Sequence, residues 1–192
     1  MFIGKYQINI KINNLIFEID IRESIERKTY FIREYEKKRM DQLHLFSKKI
    51  NSEILIDIGA NIGFYSILSS HKFKQLYSFE PNERNFKVLK KNIDKNKLKN
   101  IKILNFGLGE KEEVLIGTSN TKGKLFQTSG FAINKDNKKG ESVIVKKGDD
   151  VLQFKNKNLT IKIDVEGFEF FVLKGLKNNL INNSCVLQIE IW

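Results

Sequence analysis

Residues 55–66 read LIDIGANIGFYS: an apolar run stops at Asp57, then turns through Gly59, Asn61 and Gly63 into a second apolar segment. An acid at a strand tip, followed at once by a glycine-spaced turn and a helix start, is the arrangement that receives a nucleotide-like ligand. The spacing narrows which one. Against the dinucleotide pattern G-x-G-x-x-G, Gly59-Ala60-Asn61-Ile62-Gly63-Phe64 has Asn at the second glycine position and Phe at the third, so a pyrophosphate is poorly served. No G-x-x-x-x-G-K-[ST] run surrounds the turn, which removes the phosphate-cradling alternative. An acid two residues before the first glycine opposes a phosphate and suits a cation. A nucleoside carrying positive charge fits, and S-adenosylmethionine is that molecule.

Further acids end later apolar runs: Glu80 in QLYSFEP, and Asp164 with Glu166 in NLTIKIDVEG; Asn105 takes the equivalent place in NIKILNFGLG. Ligands of open parallel sheets bind beyond the carboxyl ends of the strands, so the convergence of these residues carries more weight than any one of them. Helix N-capping accounts for one or two of the acids but not for all. Glu80, just over twenty residues after Asp57, is expected to accept hydrogen bonds from the ribose hydroxyls. Asp57 and Asp164 are expected at the methionine ammonium, and Asn105 near the adenine. Methyl transfer to a hydroxyl needs two aligned reactants and one proton acceptor. Glu166 is the preferred base and Asp164 the second candidate, while His44, within the long helical segment, and His71, just after the short helix beginning near Ile62, read as surface or packing residues. No cluster has metal-ligand spacing.

The elements that must position these residues follow from the pattern. YQINIKI and LIFEIDI alternate around Asn13-Asn14 and predict a hairpin. Asp20 offers a helix N-cap with Glu23 three residues on, and Ile25, Ile32, Met40, Leu43, Phe46 and Ile50 predict a long amphipathic helix, broken at most once. Short apolar strands then alternate with amphipathic helices, the pattern of a mostly parallel Rossmann-like α/β sheet; the expected strands are EILIDIG, QLYSFEP, NIKILNFGLG, NLTIKIDVEG and CVLQIEIW. Asn82 should cap the helix after Pro81. Residues 111–148 break the rhythm and read as an inserted antiparallel ribbon from EVLIG, KLFQ and SVIVKK, with Ser129 and Gly130 expected in an acceptor wall. The organisation expected is an N-terminal extension over residues 1–50 and a single core over 51–192.

At 192 residues the chain fits one domain, and its net charge of +11 invites a nucleic-acid-binding reading. Its lysines are spread over many segments and its arginines number only Arg22, Arg27, Arg33, Arg39 and Arg84, which favours a solvated face over a polyanion site. The lone Cys185 excludes an internal disulfide, and no window reaches the length of a membrane helix, so a cytoplasmic protein is expected.

DIGANIGFYS, FEPNERNF, KIDVEGFE and LQIEIW, in this order, resemble the FkbM-type S-adenosylmethionine-dependent methyltransferase family, with VKKGDDVL similar to its acidic segment before the fourth strand. The resemblance covers roughly residues 50–192 and implies a class I methyltransferase fold and methylation of a hydroxyl on a sugar, glycan or secondary metabolite. By position it carries Asp57, Gly59, Asn61, Gly63, Glu80 and Asp164 to the cofactor side and Glu166 to the acceptor side. Base methylation is disfavoured, because Asp164 is followed by Val165-Glu166-Gly167 and not by a proline pair, and Cys185 begins a strand. The family fold continues past a fifth strand, where this sequence stops. That leaves as alternatives an active short enzyme, a protomer that covers its strand edge by homo-oligomerisation, and an inactive or accessory cofactor-binding remnant.

Overall fold

The computed structural model describes residues 6–119, 131–134 and 139–191. Strands β1 (Gln7–Ile12) and β2 (Leu15–Asp20) form the expected hairpin, with Asn13 and Asn14 both left-handed (φ 48° and 66°), the conformation a two-residue turn demands. Helices α1 (Ser24–Ile32) and α2 (Lys37–Lys49) follow, separated by left-handed Arg33 and Glu36. The long helix is therefore broken once, and its single face does not hold. Met40 and Leu43 are buried, whereas Ile25 and Ile32 are exposed because the break re-aims α1, and Phe46 is exposed on α2 itself. Nor does Asp20 cap α1: Glu23 occupies the cap position, and the Asp20 carboxylate is bound by the guanidinium groups of Arg22 and Arg84.

The core begins with β3 (Ile54–Ile58), α3 (Phe64–Ser69), β4 (Gln75–Phe79), α4 (Glu83–Lys95) and β5 (Ile101–Leu104). Asn82 caps α4 as expected, its Oδ1 accepting from the Asn85 amide at 2.9 Å. The expected third strand is cut short: after Leu104 the chain leaves the sheet, and β6 (Gly107–Gly109) joins a second sheet with β7 (Glu113–Ser119), β8 (Phe131–Asn134) and β9 (Glu141–Lys147). In that sheet, ordered β6-β9-β7-β8, the antiparallel strands β7, β8 and β9 are the inserted ribbon, while β6 precedes it and pairs parallel to β9; KLFQ, Ser129 and Gly130 lie outside the described residues. Helix α5 (Gly148–Val151), β10 (Asn158–Ile163), the short helices α6 (Glu169–Gly175) and α7 (Lys177–Ile181), and β11 (Ser184–Ile189) complete the chain.

The main sheet is fully parallel and ordered β11-β10-β3-β4-β5. The chain runs outward from β3 to β5 and then restarts at β10 on the other side, so the crevice beside the β3 and β10 tips is the topological switch point where such sheets hold ligands. Each face has its own core, one containing Leu55, Ile67 and Leu89, the other Ile56, Ile161 and Val172. The hairpin is fastened by α4. Asn92 and Asn96, one turn apart, present their amides to the backbone of Glu18 and Ile16 and replace a missing strand partner along β2.

Glu26 of α1 is buried and accepts from the Asp20 amide. Burial pushes its carboxyl up to about 8, against the pull of that hydrogen bond. A carboxyl raised in the folded state stabilises fully below its unfolded value and loses that stabilisation as pH rises through the folded one. Glu26→Gln keeps the acceptor and removes the titration. Compared with the parent, it should gain stability from about pH 4.5 to pH 8, reaching up to a few kcal/mol at the alkaline end. Urea denaturation across that range checks it, and parallel pH profiles would count against a buried neutral acid.

Candidate functional site

The turn after β3 is held open by backbone: the amides of Gly59 and Ala60 both donate to the Phe79 carbonyl, at 3.0 and 2.9 Å. Gly59 has φ 81°, and a Cβ there would stand 1.8 Å from the Asp164 carbonyl oxygen. This glycine is therefore required by the crossing of β3 and β10 tails, not by a ligand pressing on it. Gly63, at φ 96°, opens α3 with its Cα against Leu89 and Ile67.

Beyond the turn lies a cleft enclosing about 850 Å³, its open mouth included, with Glu80, Asp164 and Glu166 in its walls. A few convergent polar groups set among apolar walls are the character of a small-ligand site. Tyr35, Phe64, Phe79, Phe131 and Phe168 give it aromatic sides. Glu80 is 4 % exposed and accepts two backbone bonds, from Asn61 at 2.7 Å and Asn82 at 2.9 Å. Burial nevertheless pushes its carboxyl up to about 7. Asn61 reaches this bond by taking φ 52°, which asparagine tolerates better than most residues. Glu166, also left-handed at φ 53°, is half-buried, and its carboxyl is raised first by burial and then by neighbouring Asp164 and Glu190.

Asp57 and Asn105 stand outside the walls. Asp57 is fully buried one layer beneath the turn, where its Oδ2 accepts from Ser66 Oγ at 2.5 Å. Asn105 donates its amide to the carbonyls of Glu80 and Pro81, at 2.9 and 3.4 Å, and so fixes the loop that carries Glu80.

Sequence reasoning missed Lys162. Its side chain is nearly all buried, with Nζ donating to the Gly59 carbonyl at 3.0 Å and lying 3.3 Å from Asp164 and 3.5 Å from Asp57. Burial alone would lower this amine, but the two carboxylates outweigh it and hold it above its ordinary range. Lys162 belongs to a polar row crossing four strands in register, Gln188, Lys162, Asp57 and Ser78. Ser66 joins the Asp57 and Ser78 end, and Tyr65 accepts from Gln188 at 2.7 Å and donates to Glu36 at 2.9 Å. The signal was readable in principle: each of these four strands carries one polar residue at the same distance from its tip.

With its one lysine held between Asp57 and Asp164, the cleft keeps an excess of carboxylate in a chain of net charge +11. Such a surface attracts a cation and, among the described residues, offers a phosphate no unpaired cationic side chain. Among the described residues, no group of three or more His, Cys, Asp and Glu is placed to hold a metal ion.

The model of the Methyltransferase FkbM domain matches residues 57–191. A hexuronic acid methyltransferase, AglP of Haloferax volcanii, is 30% identical over 154 residues, covering 77% of this chain and 59% of that protein. The chain thus spans less than two thirds of that relative's length. Among solved structures, Trm5b of Pyrococcus abyssi covers 96% of this chain and 40% of its own at 15% identity with a TM-score of 0.47. A second, M. jannaschii TYW2 in complex with AdoMet, covers 54% and 45% at 22% identity with a TM-score of 0.39.

Proposed function

The chain belongs to the FkbM methyltransferase domain family, and from that premise we propose that it is an S-adenosylmethionine-dependent methyltransferase acting on a hydroxyl of a sugar or glycan. The observation that carries the reading is Glu80, a buried acid in the cleft wall at the tip of the strand next to the glycine turn. Its carboxylate would take the ribose hydroxyls, and the aromatic sides of the cleft would flank the flat base. Asp164 would face the positively charged end, with Glu166 beside it on the acceptor side. Bound there, S-adenosylmethionine supplies an electrophilic methyl group, and the protein's work is alignment and removal of one proton. The sugar class draws on the relative named as a hexuronic acid methyltransferase; such an acceptor offers hydroxyls and a carboxylate, and the hydroxyl is our reading.

Glu166 is the group we assign to accept the hydroxyl proton. It lines the cleft, and its raised carboxyl makes it a better proton acceptor than an exposed glutamate. Asp164 is less free for the task because Lys162 lies 3.3 Å from it. The test is transfer of labelled methyl from S-adenosylmethionine to a panel of glycans and glycosides. Glu166→Gln should lower kcat by about 10²-fold or more while leaving cofactor affinity within a few-fold. Failure of the parent to label any polyol would overturn the acceptor class, and an unchanged kcat in the variant would remove Glu166 from the chemistry.

A further inference from the structure

The elbow between α1 and α2 ends in apolar side chains that the fold leaves uncovered. Phe31 and Ile32, the last residues of α1, are 74 % and 54 % exposed. Lys28, Arg33, Lys37, Lys38 and Arg39 are exposed around the same bend. Lys28, Lys37 and Lys38 of the two helices share one open groove with Leu45, itself 54 % exposed, so cations of both elements converge at the bend that carries Phe31 and Ile32. The acids of that surface are Glu34, 3.7 Å from Lys37, Glu36, 3.1 Å from Arg39, and Asp41. Lys28 and Lys38 have no carboxylate partner among the described residues.

We propose that this elbow docks on an anionic lipid bilayer, with Phe31 and Ile32 entering the boundary of the acyl chains and Lys28, Arg33 and Lys38 meeting the headgroup phosphates. Large apolar side chains ringed by cations are what an interfacial segment needs, since burial and charge attraction then act together. The charge also selects against self-association: two copies meeting tip to tip would set these cations against their own kind. No described helix is long and apolar enough to cross a membrane. Tyr35, three residues after Ile32, lines the cleft, so the connection that carries the docking surface also contributes to the site's wall. The inference stands on the surface alone and does not depend on the cofactor reading.

The experiment is co-sedimentation of the chain with vesicles of phosphatidylcholine alone and of phosphatidylcholine mixed with phosphatidylglycerol, at about 0.15 M salt where long-range attraction is screened. The parent should partition onto the mixed vesicles. Phe31→Ser with Ile32→Ser keeps every charge and removes only exposed side chains, so it should stay folded yet lose about tenfold or more in partitioning. Lys28→Glu with Lys38→Glu should lose binding as well. Lys155→Glu with Lys157→Glu, at the opposite end of the sheet, makes the same charge change and should leave it intact. Full binding by the serine variant, or equal loss in the two charge variants, would reduce the effect to general polycation attraction and overturn the proposal. Absence of binding to either vesicle would overturn it too, as would a Phe31-dependent dimer in solution.

Discussion

Lys162→Met should destabilise the chain by about 3–5 kcal/mol, measured by urea denaturation near neutral pH, although methionine fills nearly the same volume. The lysine lies between Asp57, which is fully buried, and Asp164 at the cleft wall. Removing its charge leaves the Asp57 carboxylate with only the Ser66 hydroxyl as a donor, in a setting that water does not reach. It also frees the Gly59 carbonyl, to which Nζ donates at 3.0 Å, at the residue where the glycine turn starts. The cost thus comes from an orphaned charge and not from a cavity. The double variant with Asp57→Asn separates the two: neutralising the acid should recover most of the loss, since an amide can still accept from Ser66. If the single variant were as stable as the parent, the row would be no more than a set of independent side chains.

That row also shows where sequence reading stops. The alternation of short apolar strands with amphipathic helices made the parallel sheet legible, because burial on both faces leaves near-continuous apolar runs such as ILIDI. The acids at strand tips were legible for the same reason: each interrupts an apolar run. Lys162 interrupts one too, but a lysine inside TIKID reads as half of an alternating pattern until β10 is known to be central, with β3 and β11 on either side. Its partners lie on other strands, and register is a property of the assembled sheet. Asn92 and Asn96 were hidden similarly, since nothing local marks a helical asparagine as the partner of a strand 74 to 80 residues away. The division of α1 from α2 was foreseen only as one break, because Arg33 and Glu36 are not residues that advertise a left-handed bend. The end of the third strand was misread for a subtler reason, at Asn105. The apolar run continues past it into FGLG, and only the structure reveals that the chain has already left the sheet for the second one at Gly107.

Binding of S-adenosylhomocysteine should strengthen as pH rises through about 7 and should vanish in Glu80→Gln. In the free chain Glu80 is raised to about 7, because burial outweighs the two amides that it accepts. Its contribution to stability is accordingly complete below the unfolded value near 4.5 and is lost as pH climbs through about 7. A ligand that donates two hydroxyls to this carboxyl favours the ionised form, so the bound-state value must fall below the free one. Linkage then fixes the sign: between the two values complex formation releases protons, and affinity climbs with pH until the free group is ionised. Calorimetry near pH 6.5 in buffers of different ionisation enthalpy reads that release directly. Glutamine has one oxygen where the carboxylate has two, so it must leave either the Asn61 or the Asn82 amide facing its own N–H, and it meets one ribose hydroxyl with a donor. A loss of about 10²-fold or more in affinity is expected, together with the proton release. Tight binding by Glu80→Gln with a flat pH profile in both proteins would place the ligand elsewhere in the cleft. Intact proton release in the variant would transfer the titration to Glu166, the other cleft carboxyl raised by burial.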